Sequence, residues 1–166
     1  MKKMWSPWRS RHIASTTRQS DEERAELFER IARSDDDEAN YVVYRGKTAF
    51  VVMNLYPYNN GHLLIVPFRR VEHYDALTDE EQVEIARLTD RCIRWLRRAL
   101  SPDGFNVGMN LGSAGGAGVP EHLHVHVVPR WNGDTNFMAT VSDVKVIPES
   151  MDRTYHKLLA AVQEVE

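Results

Sequence analysis

The feature that most constrains the fold is a run in which histidine alternates with aliphatic residues, His122-Leu123-His124-Val125-His126-Val127-Val128. Successive side chains of a β-strand point to opposite faces, so the run predicts a strand over residues 122–128. Its three imidazoles would share one face, and the aliphatic side chains would point the other way, toward a hydrophobic core. A row of imidazoles contributes little to the stability of a strand, which indicates that these histidines have a function.

The rest of the chain predicts an α+β domain, a mostly antiparallel five-stranded sheet flanked by helices. Runs rich in β-branched and aromatic residues predict four further strands, at residues 41–44, 48–53, 62–67 and 105–110.

Two capping-box patterns mark the expected starts of helices. Thr78 with Glu81 opens a long amphipathic helix that ends near Leu100. Ser20 with Glu23 shows the same pattern before a shorter helix. A last helix is expected between about residues 150 and 162.

Length and charge predict one domain with an N-terminal arm. The 166 residues are 42% apolar and 27% charged, as in a single globular domain. Residues 1–20 carry a charge of +5 and the whole chain carries −3, which leaves −8 on residues 21–166. We therefore expect an arm over 1–20 and a single domain over 21–166. We expect the arm's Trp5 and Trp8 to pack on the domain or on a partner subunit, because an acidic body repels a phosphate backbone. Contact of the basic arm with nucleic acid, by charge and by stacking of the tryptophans, is the alternative.

Several classes of protein are not expected. No apolar run approaches the roughly 20 residues of a membrane span, and Lys2 and Lys3 are not followed by the apolar segment of a secretory signal. Cys92 is the single cysteine, which excludes an internal disulfide and a cysteine-based zinc cage. A reducing, cytoplasmic setting is expected.

The three histidines allow two chemical interpretations besides a structural one. An i, i+2 pair can share a metal ion, but the outer two Cα atoms of an extended strand lie roughly 13 Å apart. A metal site would therefore need two of the histidines and a ligand from elsewhere. Alternatively, the central imidazole can be a nucleophile if a hydrogen bond fixes its other nitrogen.

A glycine-rich stretch, residues 112–118, ends four residues before His122. Glycines allow backbone N–H groups to approach anionic oxygens closely, so a phosphate group is the expected electrophile for a nucleophilic histidine. A flexible turn is the alternative interpretation of the same stretch.

The histidine run, Asn54 and the strand entry Asn60-Gly61-His62 together resemble the histidine triad (HIT) family of nucleotide hydrolases and nucleotidyl transferases, in particular its fragile histidine triad branch. Residues 4–9 and 129–137 are similar to a bacterial group linked to diadenosine tetraphosphate cleavage. The resemblance covers roughly residues 41–138 and the arm, and it implies a HIT-like fold.

The resemblance implies covalent catalysis by His124, which would attack the α-phosphorus and form a nucleotidyl-imidazole. His122 and His126 would orient the nucleophile and support the phosphate and the leaving group, with His62 behind them.

The resemblance also implies residues that bind the nucleoside. Asn54 would hold the ribose hydroxyls, and Asn110 would lie near the phosphates. Val52 and Leu64 would contribute to an apolar slot for the base.

The remaining candidates belong to the glycine loop and to the segment after the histidines. Gly118 and Val119 replace polar residues of many relatives, so backbone N–H groups, including that of Gly116, would bind phosphate. Trp131 is a candidate for stacking on a base, with core or interface packing as the alternative. Arg130 is expected to add positive charge to an anion site.

The implied reaction is cleavage of dinucleoside polyphosphates, above all diadenosine tetraphosphate, with phosphate or water as acceptor. The glycine loop and Arg130 favour phosphate, because they offer room and charge for a second anion. The alternatives are an adenosine phosphoramidate or adenylyl-sulfate hydrolase, and a nucleotide-binding module with little turnover.

No cofactor is expected for the covalent step, and a divalent cation can bind the substrate phosphates. Many relatives bind zinc through an early Cys-x-x-Cys, which is replaced here by residues 26–29, Glu-Leu-Phe-Glu. The resemblance implies a homodimer. Val83, Ile93 and Trp95 lie outside a single apolar stripe of the long helix and are expected at the interface.

Overall fold

The computed structural model of the protein describes residues 26–134 and 148–165. The expected arm, the capping box at Ser20 and the last residues of the 129–137 run lie outside this described part.

Three helices and five strands form the described domain, in the order α1 (Leu27–Arg33), β1 (Val42–Arg45), β2 (Ala49–Met53), β3 (Leu63–Pro67), α2 (Asp79–Leu100), β4 (Gly104–Met109), β5 (Val125–Arg130) and α3 (Met151–Val165). A 3₁₀ turn at Tyr74–Ala76 precedes α2. The strands form one sheet in the order β1-β2-β3-β5-β4, and every neighbouring pair is antiparallel. The expected α+β fold with a five-stranded antiparallel sheet is confirmed.

The last strand begins later than the histidine pattern predicts, at Val125 instead of residue 122. The N–H of His122 donates to the carbonyl oxygen of Val119 in a turn, and that of Leu123 donates to the carbonyl oxygen of Val71. These two residues therefore hydrogen-bond to loops outside the sheet. The alternation itself is confirmed, because Leu123, Val125 and Val127 all lie in the main hydrophobic core.

The sheet separates two apolar clusters. The main core lies on the face covered by α2 and α3. The smaller cluster lies on the opposite face, where Phe28 and Ile31 of α1 pack against Val52, Leu64 and Val66. The histidines occupy this second face, next to α1.

The start of α2 follows the predicted capping box. Thr78 Oγ1 accepts from the Glu81 N–H, and the Glu81 carboxylate accepts from the Thr78 N–H at 2.9 Å. The helix ends where Ser101 adopts a left-handed conformation with φ 49°. None of the helices in the described residues is long and apolar enough to span a membrane.

Val83, Ile93 and Trp95 of α2 are expected to lie at a dimer interface. This expectation is wrong for Trp95. Its side chain is fully buried and packs on Tyr44, with 5.4 Å between ring centroids. Ile93 is partly buried against the main core, and Val83 is 48% exposed. The helix buries a wide face because both the sheet and α3 pack against it.

Candidate active site

A row of side chains crosses the sheet on the histidine face. His126 of β5 lies opposite Leu64 of β3 on one side and Gly108 of β4 on the other, and Leu64 lies opposite Val52 of β2. Directly opposite residues of an antiparallel pair project to the same face. A side chain at Gly108 would meet nothing within 4 Å, so the face is open beside His126.

His124 is held with one ring nitrogen free. Its Nδ1 lies 2.9 Å from the carbonyl oxygen of His122 and must carry the proton of this hydrogen bond, because a carbonyl only accepts. The Nε2 lone pair of the neutral ring is therefore available. Burial lowers the pKa of His124, while the hydrogen bond to His122 opposes that shift. The ring thus remains a neutral base near pH 7, as nucleophilic attack requires.

His62 and His126 form a buried pair with 2.9 Å between His62 Nε2 and His126 Nδ1. His62 Nδ1 accepts from the backbone N–H of Tyr58 at 3.1 Å, so the proton of neutral His62 is on Nε2 and is donated to His126. Burial, together with the neighbouring His124, lowers the pKa of His126 to about 4. The single proton of His126 then resides on Nε2, which is buried and has no hydrogen-bond partner among the described residues.

His122 acts on the site through its main chain. Its Nε2 donates to the carbonyl oxygen of Pro67 at 2.9 Å, and its ring is fully buried. Burial lowers the pKa of His122. The position of this residue fixes the carbonyl that orients His124.

Two aromatic residues at the site were not singled out from the sequence. Phe28 of α1 lies 5.2 Å from the ring of His124 and 5.5 Å from that of His122, between ring centroids. Tyr58 stacks on His126 with 5.5 Å between centroids and 16° between ring planes. The helical spacing of Phe28 indicates only a core position. No local pattern distinguishes Tyr58, which the turn before β3 brings back over the histidines.

The proposed base-binding residues lie deep in the smaller cluster. Val52 is 3% exposed and Leu64 is 6% exposed, and Phe28 covers them together with Ile31. Val119, at the end of the glycine loop, packs against the same cluster. The structure therefore brings Val52, Leu64 and Val119, three of the predicted substrate-binding residues, into one apolar cluster.

Asn54 and Asn110 are engaged within the protein. Asn54 contacts His62 Nδ1 and accepts from the Tyr56 N–H. Asn110 Nδ2 donates to the carbonyl oxygen of Gly116 at 3.4 Å and so ties the glycine loop to the end of β4.

The glycine loop depends on its glycines at three positions. Gly112 and Gly116 adopt φ of 67° and 83°, which side-chain-bearing residues rarely adopt. A Cβ at Gly115 would collide with the backbone of Leu111. A Cβ at Gly118 would meet nothing within 4 Å, so the loop leaves room on this side for a substrate.

The structure does not bring Trp131 or Arg130 to the histidines of the same chain. Trp131 lies beyond the end of β5, and its indole N–H donates to the carbonyl oxygen of Ser101 at 3.2 Å. Arg130 forms a bidentate pair with Asp134, at 2.6 and 2.7 Å, and lies roughly 20 Å along the strand from His124. The expected anion site at Arg130 is therefore not formed. Within residues 26–134 and 148–165, no group of three or more His, Cys, Asp or Glu side chains is arranged to hold a metal ion.

Comparison with known proteins agrees with this geometry. A family model described as the HIT domain matches residues 36–133. The chain is 43% identical over 164 residues to the AP-4-A phosphorylase of Mycobacterium tuberculosis, which spans 96% of this chain and 83% of that relative. It is 32% identical over 93 residues to the asymmetrical bis(5'-nucleosyl)-tetraphosphatase of Schizosaccharomyces pombe, covering 56% of this chain and 50% of the other.

Among solved structures, a zinc-bound histidine triad family protein from Mycobacterium smegmatis superposes with a TM-score of 0.69 at 25% identity. The match covers 84% of this chain and 94% of the neighbour.

Proposed function

The chain belongs to the histidine triad (HIT) family, and on that premise we propose that it cleaves a phosphoanhydride bond of dinucleoside polyphosphates, with diadenosine tetraphosphate as the main substrate. The observation that carries the proposal is the placement of a free His124 Nε2 lone pair next to an N–H donor on His126. The two rings lie 4.9 Å apart between centroids.

These two groups support a double displacement. His124 Nε2 attacks the α-phosphorus, the new P–N bond forms, and the P–O bond to the leaving ATP breaks. His126 Nε2–H donates a hydrogen bond to the departing oxygen and stabilises the negative charge that develops there. An acceptor oxygen then attacks the adenylyl group, the P–N bond breaks, and His124 is regenerated.

We favour inorganic phosphate as the acceptor, which gives ADP and ATP as products. The relative with 43% identity is named as a phosphorylase. Gly118 provides open space beside the loop, where a second anion can enter. The positive charge expected from Arg130 does not contribute, because Asp134 neutralises it.

Each part of the substrate has a matching surface. The adenine would lie against the cluster of Val52, Leu64 and Val119, and it would enter by displacing Phe28 of α1. Backbone N–H groups of the loop at Gly116 and Gly118 would bind the phosphates. We propose no cofactor for the covalent step, and a divalent cation would act only on the substrate phosphates.

A homodimer is the proposed assembly, supported by the sheet edge. β4 is the last strand of the sheet, and its Val107 is 48% exposed. Leu111, just beyond β4, is 51% exposed. An apolar strand edge is a template for pairing with a second chain. We place the protein in the cytoplasm, in keeping with the buried free thiol of Cys92, and we propose no nucleic-acid partner.

The test of the reaction supplies diadenosine tetraphosphate and labelled inorganic phosphate to the purified protein. Label recovered in ADP, with one ATP formed per ADP, supports phosphorolysis. Formation of AMP and ATP without label in any nucleotide would identify water as the acceptor. No cleavage of any dinucleoside polyphosphate would contradict the proposed function.

A further inference from the structure

The strand β4 borders the histidines with a strip of the sheet that is open to a ligand. Gly108 of β4 lies opposite His126, and a Cβ at Gly108 would meet nothing within 4 Å. Two residues earlier, Asn106 lies opposite Val128 and therefore projects to the same face as His126. The alternate residue Phe105 packs against the main core on the other face. β4 thus places the exposed amide of Asn106 next to this open position.

The amide of Asn106 is held in one orientation by Arg130. Arg130 Nη1 donates to Asn106 Oδ1 at 2.6 Å, and this contact assigns the amide oxygen, because a guanidinium has only donors. Asp134 fixes Arg130 in turn, through the bidentate pair at 2.6 and 2.7 Å. The NH₂ group of Asn106 is therefore turned away from Arg130, and it has no hydrogen-bond partner in the part of the chain that the structure describes. Its two N–H donors are available to a ligand.

The position of Asn106 matches the side on which the leaving group departs. Asn106 is a diagonal neighbour of His126 on the adjacent strand, and such neighbours lie roughly 7–8 Å apart. In phosphoryl transfer the attacking and leaving atoms lie roughly in line, on opposite sides of the phosphorus. The attack comes from His124, which precedes His126 in the chain, whereas Asn106 lies beyond His126, level with Val128. The phosphates beyond the broken bond therefore extend toward Asn106.

We propose that Asn106 is a specificity-determining residue whose NH₂ group binds the phosphate groups of the leaving nucleotide. The inference rests on the proposed function and extends it, because it assigns a subsite to the part of the substrate that leaves. Arg130 is a positioning residue for this subsite, since it orients the Asn106 amide while Asp134 neutralises its charge. Gly108 keeps the space between His126 and the amide open for the phosphates.

The first experiment varies the leaving group and keeps the adenylyl half of the substrate the same. With diadenosine tetraphosphate, whose leaving group is ATP, Asn106→Ala should lower kcat/KM about tenfold, because a hydrogen bond to a charged phosphate is lost. With the 4-nitrophenyl ester of AMP, whose leaving group carries no phosphate, the loss in kcat/KM should stay below about twofold. Equal losses with the two substrates would overturn the proposal.

The second experiment separates phosphate binding from a structural role of Asn106. Asn106→Asp keeps an acceptor for Arg130 but replaces the NH₂ donor by a negative charge. This variant should therefore be more impaired than Asn106→Ala, with kcat/KM for diadenosine tetraphosphate lowered about a hundredfold by repulsion of the leaving phosphates. A residue that only held Arg130 in place would tolerate the new carboxylate better than alanine. Near-wild-type cleavage of diadenosine tetraphosphate by Asn106→Asp would overturn the proposal.

The same assays include a control and separate this inference from the proposed function. Asn40→Ala is the matched control, since the Asn40 amide bonds to Ser34 and Asp36 in the loop after α1, and it should leave both rates unchanged. Wild-type protein that cleaves the nitrophenyl ester but neither diadenosine tetraphosphate nor diadenosine triphosphate would overturn the proposed function and this inference with it. Cleavage of diadenosine tetraphosphate by the wild type and by Asn106→Ala at the same rate would overturn the inference alone.

Discussion

The imidazole of His124 is oriented by the main chain of His122, two residues earlier, through an Nδ1–H hydrogen bond of 2.9 Å to its carbonyl oxygen. The bond directs Nε2 away from the sheet backbone with its lone pair free.

Replacing His124, the proposed nucleophile, should abolish turnover and leave the fold intact. We expect His124→Ala to lower kcat by at least about a thousandfold, because the covalent route is lost. Nucleotide affinity should be retained, since the substitution leaves unchanged the cluster of Val52 and Leu64 that we propose binds the base. Steady-state kinetics with calorimetric binding of ADP tests both points. Retention of more than about a tenth of the wild-type rate would rule out His124 as the nucleophile.

The buried histidines should make stability depend on pH. The pKa of His126 is lowered to about 4, whereas histidine in the unfolded chain titrates near 6.5. The unfolded state therefore binds more protons between these values, and stability is lost as the pH falls through this window. Between pH 7 and pH 5, His126 alone should cost about 2 kcal/mol.

Urea unfolding of the wild type and His126→Gln at pH 7 and pH 5 measures this contribution. The variant should lose less free energy of unfolding between the two pH values. An identical decline in wild type and His126→Gln would contradict the neutral, buried state of His126.

A charge placed on the edge strand β4 should weaken the proposed homodimer. Light scattering at micromolar concentration should report twice the chain mass of 19.1 kDa for the wild type. Val107→Glu should shift the protein toward the monomer, because it places a charge on the exposed edge of β4. Tyr74→Glu, at an exposed position in the 3₁₀ turn before α2, should leave the dimer intact. A wild-type mass of 19.1 kDa would contradict the dimer.

Gly115 should be required for the shape of the glycine loop, which we propose binds the substrate phosphates. Gly115→Ala would force the backbone of Leu111 to move, and we expect KM to rise about tenfold as the loop opens. Gly104→Ala in β4 is the matched control, because its Cβ would meet nothing within 4 Å. If the two variants have the same KM, the loop geometry does not determine substrate binding.

The sequence predicts the parts of this fold that follow from local periodicity. The alternation around His124 correctly assigns Leu123 and Val127 to the core, because the two-residue repeat is the same wherever the strand lies in the sheet. The start of β5 is predicted too early, since the hydrogen bond from Leu123 to Val71 depends on a loop distant in sequence.

Features that depend on packing between distant elements could not be predicted in this way. Trp95 is buried because α3 and the sheet both cover α2, which the helical pattern alone does not indicate. Tyr58 reaches His126 only because the turn before β3 folds back over the sheet. The contact of Asn54 with His62 likewise follows from that turn, whereas the resemblance to the family implies a different partner.

The most direct test of the account is to trap the covalent intermediate. The protein is mixed with diadenosine tetraphosphate in the absence of inorganic phosphate, quenched rapidly in base, and analysed by intact mass and peptide sequencing. We predict one adenylyl group per chain, located on His124 within the segment 122–126, and none on His124→Ala. Ongoing turnover with no adduct, or an adduct on any other residue, would contradict nucleotidyl transfer through His124.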